Sequence, residues 1–331
     1  MRTFLNLISA RNKEFYRDKA ALIWTVLFPL LLIVGFTFAF SRPEEAVFTL
    51  GHKGQAESMA ELPSYIERID YDSNDQAVQR IRHHQLDVFI DFSSTPTNAS
   101  YNPLSPSSQA LRDIIQAQLP DINFHPLEGK AVRYVEWVIP GVLGMNIMFA
   151  ALFGVGYVIV RYRKNGVLKR LSASPVTPLE FLSAQMVSRF LLVMAANSSI
   201  LIVCTYALNL RMEGNWFTLI LTLAIGCVTM ICIGLAVSCR TASEELAGGL
   251  LNLFTWPMMV LSEMWFSLDN APEWMQNLSL ALPLTHMVKA SRSIMVEGAN
   301  LVSVMPNLLA MLAFAILSLA IAAKWFRWES A

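Results

Sequence analysis

Long apolar runs alternate with short polar interruptions along most of this chain. The apolar stretches cover residues 20–40, 137–160, 181–208, 216–238, 246–261 and 302–323. A bilayer-spanning helix needs about 20 mainly apolar residues. The pattern therefore predicts an all-α polytopic membrane protein with six transmembrane helices, TM1 at 20–40 and TM2 to TM6 within 134–331. Pro29 falls inside the first run, where its ring removes one backbone hydrogen bond, a loss that a packed neighbour tolerates better than lipid does. The first run is of spanning length and no small-residue cleavage site closes it, so the expectation is a retained span rather than a signal peptide.

Between the first two runs, residues 41–133 have the composition of a soluble domain, with both charge signs, turn residues and short alternating segments. Strands are predicted at 47–50, 66–71 and 86–92. Helices are predicted at 55–62, at 75–84 with Ser73 or Asn74 as N-cap, and at 107–119. Alternating strands and helices predict an inserted small α/β domain, expected on the extracytoplasmic side. His83 and His84 stand together at a helix end. Adjacent helical side chains do not share a face, so a solvated helix terminus is the simpler reading than a metal site.

Three further segments break the apolar pattern. Residues 1–19 place Phe4, Leu5, Ile8 and Phe15 among Arg2, Arg11, Lys13, Arg17 and Lys19, which suits an amphipathic interface helix on the cytoplasmic surface. A basic tail that only fixes topology is the alternative. Residues 161–180 carry five cations, Arg161, Arg163, Lys164, Lys169 and Arg170, against the single acid Glu180. Val167, Leu168 and Leu171 form an apolar stripe there, and Pro175 and Pro178 close it. A short amphipathic helix over 166–171 follows. Residues 262–300 are too apolar for a hydrated loop, yet Pro272 and Pro283 break them too often for a span. A pair of short half-inserted helices at the outer face is predicted, with Trp265 and Trp274 at headgroup level.

Composition sharpens this reading. The 331 residues are 54% apolar, with a mean hydropathy of +0.45, above the share of about 45–50% usual for soluble domains. Net charge is zero, so nothing suggests a nucleic-acid partner; the distribution is what informs. With both termini in the cytoplasm, thirteen of the 25 cations lie on cytoplasmic segments, and only Arg211, Lys289 and Arg292 fall in short outer connections. The excess fixes the orientation. Cys204, Cys227, Cys232 and Cys239 lie in or beside apolar runs, as small packing residues. No histidine spacing accompanies them as a zinc site would require.

Catalytic signatures are missing. There is no GxxxxGK[ST] phosphate loop, since Gly129-Lys130 lacks the upstream glycine, and there is no HExxH or GxSxG. No catalytic residue, metal ligand or cofactor is assigned to this chain. Polar groups inside the spans mark the remaining candidates: Asn146, Gln185, Arg189, Asn197 and Asn252 are costly against lipid and should face protein or a transport pathway. Gln185, Arg189 and Asn197 share a helix face. Interhelical hydrogen bonding explains them equally well, and Arg189 could instead reach for the interface.

Two motifs resemble one family. The stretch RYRKNGVLKRLSASPVTPLE is similar, through Arg161, Gly166, Leu168, Arg170, Leu171, Pro175 and Glu180, to the loop between the second and third spans of ABC-2 type permeases. These are the membrane subunits of type V, ABCG-like ABC exporters. The stretch APEWMQNLSLALPLTHMVKASRSIMVEG resembles their signature before the last span through Pro272, Trp274, Pro283, Leu284, Thr285, Arg292 and Gly298. The layout of one span, a large outer insert and five spans matches as well. VLSEMWFSLDN departs from the family, which more often has Ser-Gly and a Phe-Pro pair there.

The resemblance implies a non-enzymatic permease subunit of a bacterial inner-membrane exporter. It would move a hydrophobic or amphipathic compound, drug-like or lipid, as a homodimer or with a close paralogue. ATP and Mg would be held by two copies of a separate ABC ATPase. Arg161, Gly166, Leu168, Lys169, Arg170, Leu171, Pro175 and Glu180 would form the ATPase-coupling segment, with Phe4, Ile8, Arg11 and Phe15 on the interface helix. Trp274, Pro283, Thr285, His286 and Arg292 would shape the outer re-entrant segment, and membrane lipid would surround the spans. A membrane-anchored sensor or assembly factor, whose outer domain binds a ligand or partner, is the competing reading.

Overall fold

The computed structural model of the chain describes residues 2–39, 48–54, 63, 65–71, 74–82, 86–94, 96–120, 122–127, 134–173, 176–239, 241, 243–268 and 271–325. Their contacts form two units, Met1–Thr37 with Val135–Ala331, and Phe38–Tyr134. The predicted helix at 55–62, His83, His84 and Pro175 lie outside the described residues.

The helical unit opens with α1 (Arg2–Arg17) and α2 (Lys19–Ala39), which has Pro29 inside it. After the insert come α5 (Tyr134–Leu152), one π-helical turn (Phe153–Tyr157) and α6 (Val158–Lys164), a continuous helix of 31 residues. Then follow α7 (Val167–Ser172), α8 (Pro178–Ala207), α9 (Trp216–Ser238), α10 (Glu244–Leu261), α11 (Glu273–Leu280), α12 (Pro283–Glu297) and α13 (Leu301–Trp325).

Among the described residues, four helices are long and apolar enough to cross a membrane: Tyr134–Lys164, Glu180–Ala207, Trp216–Ser238 and Leu301–Trp325. Two of the six apolar runs fall outside that set. The first contributes the shorter apolar helix Ile23–Thr37, and α10 spends its first turn on Glu244 and Glu245. The chain is thus a mostly helical, multi-pass membrane protein.

Small residues let these helices approach closely, which drives association where apolar burial gives no advantage over lipid. Gly234 of α9 sits where a Cβ would lie 3.0 Å from the Leu152 carbonyl oxygen, and Gly144 of α5 sits 3.0 Å from Val288 of α12 on the same measure. At Gly141 a Cβ would meet the backbone of Met264, 2.9 Å from its Cα and closer still to its carbonyl oxygen. Backbone cannot yield as a side-chain tip can. Gly141→Ala is therefore expected to cost about 1–3 kcal/mol by overpacking, read as a lowered unfolding midpoint in detergent. Gly248→Ala is the control, because nothing lies within 4 Å of its Cβ position. Equal midpoints for the two variants would refute the close approach.

The second unit carries a five-stranded sheet in the order β2-β1-β3-β4-β5. Its strands are β1 (Phe48–Lys53), β2 (Ile66–Asp70), β3 (Val88–Asp91), β4 (Asn98–Tyr101) and β5 (Asn123–Pro126). β1 runs parallel to β2 and β3, β4 pairs antiparallel with β3, and β5 runs parallel to β4. Helix α4 (Pro106–Gln118) brings Leu111 and Ile115 onto Leu50, Val88, Ile90 and Ala99 on one face. Helix α3 (Asn74–Arg82) brings Ala77 and Ile81 onto Tyr71, Leu86 and Phe89 on the other. Strand β4 corrects the sequence reading, which makes the stretch before the 107–119 helix turn-rich, and β5 falls where the sequence reading places no element. Each has four residues and a polar composition, NASY and NFHP, too short to display alternation.

Candidate functional site

The basic loop joins two right-handed helices through one left-handed residue. Helix α6 ends at Lys164, and Gly166 adopts the left-handed conformation at φ 65°. No atom lies within 4 Å of its Cβ position, so the backbone angle and not crowding asks for glycine there. Helix α7 therefore starts one residue later than expected, with Gly166 preceding it. Leu168 is fully buried, Leu171 half-buried, and Lys169 and Arg170 are exposed.

Glu180 has a local duty. Its carboxylate accepts the Thr177 backbone N–H at 3.1 Å, and the Thr177 hydroxyl accepts the Glu180 N–H at 3.2 Å. This capping box starts α8. The Thr177-x-x-Glu180 spacing is the sequence signature of that box.

Two of the loop's cations are engaged within the protein. Lys164 reaches Glu244 at 3.8 Å. Arg163 is buried, and its guanidinium donates to the carbonyls of Ser238 at 3.0 Å, Cys239 at 3.0 Å and Thr241. Ser238 is the last residue of α9 and Cys239 its C-cap, where carbonyls lack intrahelical partners and bear the helix's negative end; Thr241 lies just beyond. One side chain thus ties the start of the basic loop to α9.

Helix α1 packs against α8 with Phe4, Leu7, Ile8, Arg11 and Phe15 turned inward at helical spacing. Arg11 corrects the expectation of a surface cation: it is only 8% exposed. It donates to Glu14 at 2.8 Å and to the Gly154 carbonyl at 3.2 Å. The Tyr162 hydroxyl donates to the same Glu14 carboxylate. Partial burial would push the Glu14 carboxyl up, but the Tyr162 hydroxyl and the Arg11 charge outweigh it and hold it below the usual range. Asn12 accepts the Ser188 hydroxyl at 2.5 Å, which ties α1 to α8.

Beside this junction lies a cavity of about 1020 Å³. Its lining includes Arg11, Glu14, Arg17, Asp18, Arg161 and Arg189, and apolar and aromatic side chains, with Trp24, Phe28, Phe149, Phe153 and Trp265 among them. The structure brings Asn146 and Arg189 to this cavity and leaves three other predicted pathway residues out of its lining. Gln185 is buried elsewhere on α8. Asn197 is fully buried and donates to Val193 O at 2.9 Å within its own helix. Asn252 is exposed on α10 beside exposed Leu253, Phe254 and Trp256.

Residues 262–300 contain their own charge cluster. Arg292 lies over the Trp137 ring at 3.9 Å and donates to Trp137 O at 3.3 Å, to the Glu263 carboxylate at 3.4 Å and to Glu263 O at 2.5 Å. Lys289 meets the same carboxylate at 3.1 Å. Thr285 donates to the Ser262 hydroxyl at 3.1 Å, and the two His286 ring nitrogens lie 3.0 Å from Asn307 Oδ1 and 2.9 Å from Leu280 O. Pro283 is buried at the start of α12, and Trp274 is exposed. Glu263, which unites the cluster, was missed by the sequence reading, although an acid within an apolar stretch was the available signal.

A family model described as ABC-2 family transporter protein matches residues 19–324. The inner membrane transport permease YhhJ of Escherichia coli (strain K12) is 27% identical over 183 residues, 55% of this chain and 49% of that protein. The linearmycin resistance permease protein LnrN of Bacillus subtilis (strain 168) is 30% identical over 188 residues, 56% of this chain and 48% of that protein. The probable multidrug ABC transporter permease YbhR of Escherichia coli (strain K12) is 23% identical over 170 residues, 51% and 46% of the two chains. The chain spans about half the length of the curated relatives it matches.

Proposed function

Because the chain belongs to the ABC-2 family of transporters, we propose that it is the permease subunit of an ATP-driven exporter for a hydrophobic or amphipathic compound. Six spans would cross the inner membrane, the four long helices together with α2 and α10, with both termini and residues 161–180 in the cytoplasm and 41–133 outside. Two copies of this chain, or one with a close paralogue, would pair with two separate ATPase subunits that hold ATP and Mg. The reading gives the chain no nucleic-acid partner and no catalytic role.

The observation that carries this reading is the pairing of an exposed basic helix with a buried latch. Helix α7 presents Lys169 and Arg170 to solvent over a fully buried Leu168, while Arg163, a few residues earlier, holds the end of α9. Force applied at α7 would reach a second long helix through that contact, as conversion of ATPase closure into helix movement requires. Arg161 and the exposed face of α1 would widen the docking surface.

The test is reconstitution with the ATPase that copurifies with the chain. Lys169→Glu with Arg170→Glu is expected to lower stimulated ATP turnover at least tenfold while the permease stays in the membrane. Full stimulation by that variant, or no copurifying ATPase, would refute the coupling role.

A further inference from the structure

Two buried arginines meet at one glycine of the π turn. The Gly154 carbonyl accepts Arg11 at 3.2 Å, and a Cβ at Gly154 would collide with the Arg189 guanidinium. Both side chains are only 8% exposed. Arg11 has Glu14 for a counter-ion at 2.8 Å. Arg189 has none among the described residues: its Nε donates to Ala150 O at 2.6 Å, its guanidinium lies 5.4 Å from the Phe15 ring centre, and its two terminal nitrogens make no hydrogen bond.

A buried cation without a partner is costly and marks a place where charge is supplied from outside the protein. Snorkelling does not account for it, since Arg189 is turned into the protein and bonded to a mid-helix carbonyl. One helical turn from Ala150, the Asn146 amide nitrogen is also buried without a hydrogen-bond partner. Both groups border the cavity of about 1020 Å³. Its ionisable lining residues are four arginines, Arg11, Arg17, Arg161 and Arg189, and two carboxylates, Glu14 and Asp18, a surplus of two positive charges (4 − 2). The remaining wall includes two tryptophans and four phenylalanines, Trp24, Trp265, Phe15, Phe28, Phe149 and Phe153. A volume of this size suits a whole drug-sized or lipid-like body.

We propose that this cavity binds an anionic amphiphile, with its acidic headgroup on Arg189 and its apolar body along the aromatic wall. The inference deepens the exporter reading, on which its identification as a substrate class rests. The binding step itself needs no ATPase. A planar guanidinium with free nitrogens recognises phosphate or carboxylate oxygens by paired hydrogen bonds, and the neighbouring Asn146 amide offers a further donor. The nearby Arg11–Glu14 pair leaves the Arg189 charge uncancelled. A zwitterionic or neutral amphiphile would fill the apolar wall but leave that charge unmatched.

The experiment uses the full chain purified in a neutral maltoside detergent, with bound lipid read by native mass spectrometry. Phosphatidylglycerol is expected to be retained at least tenfold better than phosphatidylcholine, and tetradecyl phosphate should displace it. Raising salt from about 0.1 to 1 M should weaken retention only severalfold, because a buried pair is screened less than a surface one. Arg189→Gln and, independently, Asn146→Leu should abolish the preference; Arg189→Lys should restore part of it, and Lys324→Gln, on the exposed end of α13, should leave it intact.

Equal retention of the two lipids would overturn the proposal, as would an unchanged preference in folded Arg189→Gln or Asn146→Leu protein. Displacement of phosphatidylglycerol by tetradecyl phosphate supports one shared headgroup site for membrane lipid and free amphiphile; binding without displacement would overturn the placement. Failure to pair with an ATPase would refute the exporter reading while leaving this preference in place.

Discussion

Replacing Glu263 by Gln is expected to lower the stability of the helical unit by about 3–5 kcal/mol, the cost of leaving a buried charge without its partner. The carboxylate is 10% exposed and is shared by Lys289 at 3.1 Å and Arg292 at 3.4 Å. Gln keeps the volume and one acceptor but removes the counter-ion of both cations. Arg292 contributes most of the loss, because it is itself 10% exposed and held over Trp137, whereas Lys289 is 38% exposed and partly served by water.

Unfolding can be followed by a thiol-reactive dye, since Cys204, Cys227, Cys232 and Cys239 are all free and buried. The midpoint should fall sharply in Glu263→Gln. Part of the loss should return when Arg292 is also replaced by Met, which removes the stranded cation. An unchanged midpoint in the single variant would mean that the cluster is hydrated and contributes little.

A comparable loss is expected from Arg163→Leu. The guanidinium satisfies three carbonyls at and just beyond the end of α9, those of Ser238, Cys239 and Thr241, and each hydrogen bond from a charged donor is worth about 1.5–3 kcal/mol. These gains are offset by the cost of burying the charge, so a net loss of about 3 kcal/mol or more is the expectation. Arg163→Lys should recover less than half of it, because a single ammonium cannot span the three acceptors that the planar fork reaches. The diagnostic readout is functional. At a temperature where both variants remain folded, the Leu variant should bind the ATPase normally yet lose at least tenfold of the stimulated ATP turnover. If binding and turnover fall together, Arg163 only supports the shape of the loop.

Local patterns announced the long elements. The apolar runs mark α5, α8, α9 and α13, the alternation of LDVFIDF marks β3, and the Gly166 step marks the start of α7, since each is settled by neighbours in sequence. What stayed hidden is tertiary. Arg163 reads as one more loop cation until α9, 75 residues on, supplies its carbonyls. Arg11 reads as a surface charge until Gly154, 143 residues away, accepts it. Glu263 reads as an isolated acid, and Arg189 and Asn146 become neighbours only when α5 and α8 pack. The capping box of Thr177 and Glu180 is the opposite case, a local signal fully legible in four residues.

The single π turn at Phe153–Tyr157 also acts as a phase shifter in a 31-residue rod. Each α-helical residue advances the side-chain direction by about 100°, and a π turn lodges one extra residue in the backbone. Everything beyond Tyr157 is therefore indexed one residue out of step with the helix before it. Arg163 points at α9 and Tyr162 at α1 because of that offset; in an unbroken α-helix the same sequence would swing both about 100° around the axis. The Lys164 end is set like a key cut to a different angle from its shaft, so a rotation at one end need not appear as the same rotation at the other.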